Sequence, residues 1–224
     1  MTTMRNPWRD LPTAPPYVLP CDKPILDQYA PRLTGDEAIR LDTLAYPYLG
    51  NPETANVLLL ALNGGFNPQV LAYLLSDPVY VDQRRKSLTF ESDYPFFYLD
   101  TRFAYTLGYE WWHKRLSYFI ERQGQEAVAN KFACIQYFPY CSTRYKALPL
   151  LPSQEYSFSL VRQAIKDRKE IVLMRSREKW LAEVPELRDY LYTELKFPRT
   201  PYINRKHMTE EQFERLEQAV QATA

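Results

Sequence analysis

Four short stretches of this chain are apolar almost without interruption. They are "NVLLLAL" (56–62), "KFACIQYF" (131–138), "EIVLMRS" (170–176) and, more weakly, "TPYIN" (200–204). The first and third do not alternate between apolar and polar positions. Runs of this kind predict strands buried on both faces, as in a parallel sheet covered by helices. The stretches between them carry apolar residues at helical spacing. "RFAYTLGYEWWHKRLSYFIERQG" predicts a helix that stops at Gly124. "SQEYSFSLVRQAIKDRK" predicts a helix from Ser153, with Tyr156, Leu160 and Ile165 near one side. "REKWLAEVPELRDYLYTEL" predicts one helix, or two broken at Pro185, because proline disfavours the helical conformation of the residue before it. "TGDEAIRLDTLAYPYL" (34–49) predicts a short helix with Thr34 as its cap and Glu37 at the capping-box spacing. Strands alternating with helices give an α/β fold class: a three-layer α/β/α sandwich around a central, mostly parallel four-stranded sheet.

Residues 1–35 hold seven of the 18 prolines and show no clear period. They read as an N-terminal arm laid over a domain surface, or a partly ordered leader. No second linker is visible, so residues 36–224 read as a single domain. The N-terminus has no apolar core of a signal peptide, and no apolar stretch reaches the roughly 18 residues of a membrane span. The expectation is a cytoplasmic protein without a membrane partner.

Composition narrows the chemistry. Of 224 residues, 46% are hydrophobic and the net charge is +1, so a sizeable core is expected and binding to nucleic acid through bulk charge is not. The three cysteines, Cys21, Cys134 and Cys141, form no CxxC pair, and the two histidines, His113 and His207, are far apart in sequence. That pattern points to no disulfide framework and no metal site.

Glycine is scarce, at 6 residues, yet Gly64 and Gly65 are adjacent at the end of the first strand. In parallel sheets ligands bind beyond the carboxyl ends of the strands. Glycine there permits positive φ and close approach of backbone N–H groups to a ligand. The pair reads as the floor of a site or as a plain turn. Neither the P-loop spacing GxxxxGK nor the dinucleotide spacing GxGxxG is present. The other strand ends, "YFPYCSTRY", "MRSREKW" and "INRKHM", bring Arg144, Arg175, Arg177, Lys179, Arg205 and Lys206 toward the same rim. They read as a local basic face for phosphates or as an ordinary charged surface.

"VLLLALNGGFNP" resembles the first motif of the uracil-DNA glycosylase superfamily, in the mismatch-specific style where an Asn-Pro-Gly turn follows the first strand. "PFFYLD" (95–100), "FPYCS" (138–142), "PSQEYSFSLVRQAI" (152–165) and "YINRKHM" (202–208) follow in the order such a fold needs. The resemblance implies that Asn63 positions the catalytic water and that Gly64, Gly65 and Phe66 line the turn beside it. It implies that Phe96 or Phe97 stacks on an extruded base, and that Asn204, Arg205 and Lys206 enter the DNA groove. Gly64 stands where the family has proline, and the second motif lacks its His-Pro-Ser or Ser-Pro-Gly pattern. Both departures count against strict uracil specificity.

The implied activity is that of a monofunctional DNA glycosylase, acting as a monomer, that hydrolyses the N-glycosidic bond of a damaged or modified base. Donors for the departing base would be the N–H groups of residues 64–66, Tyr140, Ser142 or His207. Arg144, Arg175 and Arg177 would hold phosphates. No lysine stands in the first motif, so no Schiff base is expected, and the implied reaction needs no cofactor. Tyr137, Tyr140 and Tyr145 suit a polar adduct, which suggests a bulky modified cytosine of phage DNA, as in anti-phage defence. The alternatives are a uracil-removing repair enzyme, a non-catalytic DNA- or nucleotide-binding protein on the same fold, and a hydrolase of free nucleosides or nucleotides.

Overall fold

The apolar run at Val57–Leu60 lies at the centre of the sheet and is fully buried. In this computed structural model, which describes residues 4–222 (the Leu74 side chain excepted), β2 (Val57–Gly65) pairs in parallel with β3 (Phe132–Ser142) and with β4 (Glu170–Leu173). The ends of the expected arm and domain, residues 1–3 and 223–224, lie outside the described residues. β5 (Thr193–Glu194) extends the parallel sheet beyond β4. β1 (Tyr48–Leu49) closes the other edge, antiparallel to β3. The sheet has five strands in the order β1-β3-β2-β4-β5. The chain is therefore α/β with a mostly parallel sheet, and the expected count of four strands is corrected to five.

Both faces of the sheet are covered. On one face Leu58, Leu60, Ile135, Ile171 and Leu173 pack against α6 (Gln154–Lys166) and α7 (Arg177–Glu183). Trp8, Leu11, Val18 and Leu19, from the proline-rich beginning of the chain, join that core, as does Leu26 of α1 (Lys23–Tyr29). On the other face Val57, Leu59, Phe132, Cys134 and Val172 meet α4 (Leu107–Gln123), α5 (Gln125–Lys131) and α8 (Glu210–Gln221). Two further helices, α2 (Gln69–Ser76) and α3 (Pro78–Thr89), connect β2 to the aromatic segment 94–103.

Local chemistry fixes several boundaries. The Thr106 hydroxyl accepts the Tyr109 N–H at the start of α4, and Gly124, at φ +83°, ends it. Ser153 stands at the N-cap of α6 as the sequence predicts, and the break at Pro185 separates α7 from a 3-10 turn at Pro185–Arg188. Thr209 and Gln212 form a full capping box for α8.

Two elements differ from expectation. Residues 34–49 form no α-helix. Only a 3-10 turn at Gly35–Glu37 appears, and the Thr34 side chain caps nothing. Beyond it the chain is held by neighbours: the Arg40 N–H donates to the Cys141 carbonyl and the Tyr46 N–H to the Pro139 carbonyl. Residues 200–204 form no strand. Pro201 has no N–H, the Tyr202 N–H turns back to Thr200, and the Ile203 N–H donates to the Arg115 carbonyl on α4 at 3.0 Å. The outermost parallel strand, β5, comes instead from "YLYTEL", the expected tail of a helix.

Candidate active site

The paired glycines are part of β2 rather than a turn after it. Neither adopts positive φ, so conformational freedom does not explain them. Gly64 is required by close packing. A Cβ there would lie 2.9 Å from Tyr46 Cβ and 3.3 Å from Cys141 Sγ. Gly65 is different, because a Cβ built on it meets nothing within 4 Å. Opposite them β3 bulges. Asn63 pairs with Phe138 and Gly65 with Ser142, so the intervening stretch of β3 is longer than that of β2.

Beside this bulge, at the carboxyl end of β2, lies a cavity of about 310 Å³. Its sheet side is formed by Ala61, Asn63, Gly65 and Gln136, and its aromatic walls by Tyr46, Phe66, Tyr98, Trp111 and Trp112. α4 contributes Gly108, which has no side chain because the Tyr98 ring occupies the place a Cβ would take. Arg175 stands at the edge. Among the described residues no carboxylate, lysine or histidine lines the cavity.

Three side-chain amides line this space; Asn67 Oδ1 is spent on the Gln69 N–H, which leaves Asn63 and Gln136. The Asn63 Nδ2 donates to Ser142 Oγ at 3.0 Å and lies 3.3 Å from the Gly64 carbonyl. A carbonyl only accepts, so the nitrogen is fixed on that side and Oδ1 is left without a partner among the described residues. Gln136, in the middle of β3, is only 6% exposed. Its Nε2 has only the weak acceptor Cys134 Sγ at 3.9 Å, and its buried Oε1 has no hydrogen-bond partner among the described residues. A buried acceptor left unpaired costs roughly 1–3 kcal/mol. Sequence reasoning does not single out Gln136. Its signal there is a lone polar residue inside the apolar run "ACIQYF".

The expected site residues divide sharply. Asn63, Gly64, Gly65, Phe66 and Arg175 line the cavity. Ser142 lies behind Asn63, and its hydroxyl and carbonyl hold the Asn63 amide and the Phe66 N–H. Phe96 and Phe97 are fully buried. They pack against Trp112 and against Tyr80 and Phe103, so neither offers a face to a base. The rings that line the cavity are instead Trp111, Phe66 and the buried Trp112, with Arg115 over one face of Trp111 and Arg40 over one face of Phe66. Tyr140 belongs to the opposite face of the sheet, where its hydroxyl donates to Asp22 at 2.8 Å and accepts the Leu19 N–H. Tyr137 and Tyr145 pack on that face too. None of the three tyrosines lines the cavity.

His207 stands outside the cavity. Its Nδ1 lies 2.7 Å from Asn204 Oδ1, which places the proton on Nδ1, and its ring sits between Phe197 and Tyr202. Burial pushes its pKa below the usual value. Asn204 also accepts the Lys206 N–H and so shapes the turn at 205–207. The basic residues are unequal. Arg144 pairs with Glu37, Arg177 with Glu178 and Glu194, and Arg205 with Glu210 and Glu217. Arg175 and Lys206 have no carboxylate partner among the described residues, and of these only Arg175 borders the cavity.

Among the described residues no group of three or more His, Cys, Asp or Glu side chains is placed to hold a metal ion, and no helix is long and apolar enough to cross a membrane. No family model, no curated protein and no solved structure matches this chain.

Proposed function

We propose that this chain is a monofunctional DNA glycosylase that hydrolyses the bond between deoxyribose and a damaged or modified base. The observation that carries this reading is the pair of amides with unpartnered oxygens, Asn63 and Gln136, facing one aromatic-walled cavity at the carboxyl end of β2. A cavity of this size falls at the small end of sites for small organic ligands. A planar base has both needs of the place: faces for the rings and edge groups for an amide. The three-layer sandwich expected from the alternation of strands and helices is consistent with a sheet covered on both faces.

The chemistry follows from these side chains. Extruding a base from the duplex costs a few kcal/mol, and stacking on an aromatic face returns about 1–3 kcal/mol per base. Trp111 and Phe66 offer such faces. Gln136 presents one acceptor and one donor, the pattern that reads a base edge carrying the complementary pair. Asn63 Oδ1 accepts a hydrogen bond from water and orients it toward the anomeric carbon. The bond from that carbon to the base nitrogen breaks, the base leaves with the electron pair, water supplies the new oxygen, and the proton that water loses passes through solvent to the departing base. An amide cannot take the proton from water, so the reaction depends on stabilising the departing base. The target is better described as a damaged or modified base than as a sugar-bearing cytosine, because the expected tyrosines lie on the other face.

One observation favours a second reading, a binding module without chemistry: among the described residues no carboxylate or histidine lines the cavity. A single experiment separates the two. Duplexes each carrying one modified base are incubated with the protein and treated with alkali. Strand cleavage at the modified position is the expected result. Tight binding without cleavage on every duplex favours the binding module.

A further inference from the structure

We propose that Arg115 and Arg175 form a phosphate-binding site at the mouth of the cavity. Arg115 projects from α4, where its guanidinium lies over the Trp111 ring at 3.9 Å and near the Tyr202 ring at 5.2 Å. It spends one N–H on the Trp111 carbonyl at 3.2 Å. Its Nε is buried and has no hydrogen-bond partner among the described residues. Arg175 follows β4 and borders the cavity itself, whereas Arg115 stands behind the lining residue Trp111. Its Nε and Nη2 donate to the carbonyls of Pro198 and Arg199, at 3.0 and 3.4 Å. Each guanidinium has five N–H donors, so most remain unspent. Segment 198–203 ties the two together. It receives Arg175 through those carbonyls, it docks on α4 through the Ile203 N–H to the Arg115 carbonyl, and its Pro201 lines the cavity.

No carboxylate pairs with either arginine among the described residues, whereas Arg144, Arg162, Arg177 and Arg205 all have acidic partners. Burial lowers the pKa of Arg115; Tyr202 opposes that shift, and the charge of Arg175 adds a smaller lowering. Two like charges held together without an acid form a place for an anion. A planar fork with several unspent N–H groups matches the oxygens of a phosphate. The sequence offers Arg175 as one of several rim cations and gives no sign of Arg115, whose place beside it depends on the docking of 198–203.

The inference deepens the glycosylase reading, since a phosphate bound there would be the one flanking the extruded nucleotide, but phosphate binding itself is measurable without turnover. The test measures binding of an unmodified DNA oligonucleotide, with polarisation read across a salt series, and of deoxynucleoside monophosphate and inorganic phosphate by competition. Arg115→Gln and Arg175→Gln are compared with Lys114→Gln, an exposed neighbour paired with Glu110. The expected result is weaker DNA binding for both arginine variants and a salt slope smaller by about one unit for each phosphate no longer held, with Lys114→Gln unchanged. An effect on the monophosphate and inorganic phosphate, and not on DNA, would support the site and assign it to a phosphomonoester. Unchanged binding of all three probes in both arginine variants would overturn the proposal. If Arg115→Gln does not fold, Arg175→Gln on the exposed rim carries the same test. Loss of phosphate binding alongside unaltered base release, or the reverse, separates this site from the glycosylase reading.

Discussion

Two buried polar side chains on β3 are treated in opposite ways. Tyr140 faces the core beneath α6 and the N-terminal segment. Its hydroxyl donates to Asp22 and accepts from Leu19, and Asp22 in turn accepts the Ser153 N–H at 3.0 Å. Gln136 faces the other side of the sheet, among aromatic rings, with Oε1 unmatched. In the first, the Tyr140 hydroxyl and the Asp22 carboxylate are both partnered and tie three distant segments of chain together, and only the neighbouring Ser153 hydroxyl has no partner among the described residues. The second is incomplete in a place where the fold leaves room. A satisfied buried polar group is explained by the fold alone, and an unsatisfied one next to a cavity is explained by something that binds.

The largest expected effect tests the functional side. Asn63→Ala removes the oxygen that orients water, and single-turnover base release falls by roughly 10²-fold or more, the scale of a misplaced reacting group. DNA affinity and the unfolding midpoint stay near those of the wild type. Retention of most single-turnover activity would remove Asn63 from the mechanism.

Effects on the structural side come next. Tyr140→Phe leaves the buried Asp22 without its hydroxyl donor and lowers stability by about 1–3 kcal/mol in denaturant unfolding. Its effect is on stability rather than on base release. Gly64→Ala forces a methyl against Tyr46 and Cys141 and costs about 1–3 kcal/mol. Gly65→Ala meets open space and leaves the unfolding midpoint near that of the wild type. Equal losses for the two glycine variants would show that the difference between them is not one of packing.

The smallest effect is an absence of pH dependence. Neither Asn63 nor Gln136 titrates. His207 has its pKa lowered by burial, so it is neutral above about pH 6.5. A depressed histidine pKa means that the native state binds fewer protons there than the unfolded chain. The stability His207 contributes is thus present above its usual value and lost as pH falls through the lowered one. Base release should be flat between about pH 7 and pH 9. A limb rising or falling inside that window would point to a titrating catalytic group that this site does not contain.

The centre of the fold is legible in the sequence and its edges are not, for physical reasons. Val57–Leu60 and Ile171–Leu173 are apolar on both faces because both faces are covered, and nothing but a buried strand suits such runs. Gly124 marks a helix end through its own positive φ, whereas Ser153 stands at its helix start without a side-chain capping bond. β5 is two residues long and owes its place to pairing with Val172 and Leu173, which no local pattern encodes. "TPYIN" has the composition of a strand, but its Ile203 N–H finds α4. At the site, Asn63 and the glycines are legible from their position after an apolar run. The reason for Gly64 is not, because Tyr46 and Cys141 arrive from distant segments. Phe96 and Phe97 differ from Trp111 only in tertiary packing, so composition alone exchanges wall for core.

Gln136→Leu tests the central claim most directly. It replaces an unsatisfied amide by an apolar group of similar size and leaves Asn63 in place. Denaturant unfolding and base release are measured on the same preparation. The account predicts stability equal to or above that of the wild type, because a buried unpaired acceptor is removed, together with a loss of base release of roughly tenfold or more, the scale of one hydrogen bond to the base. A variant that loses stability yet releases base at the wild-type rate would show that Gln136 serves the core, and would contradict the assignment of the cavity.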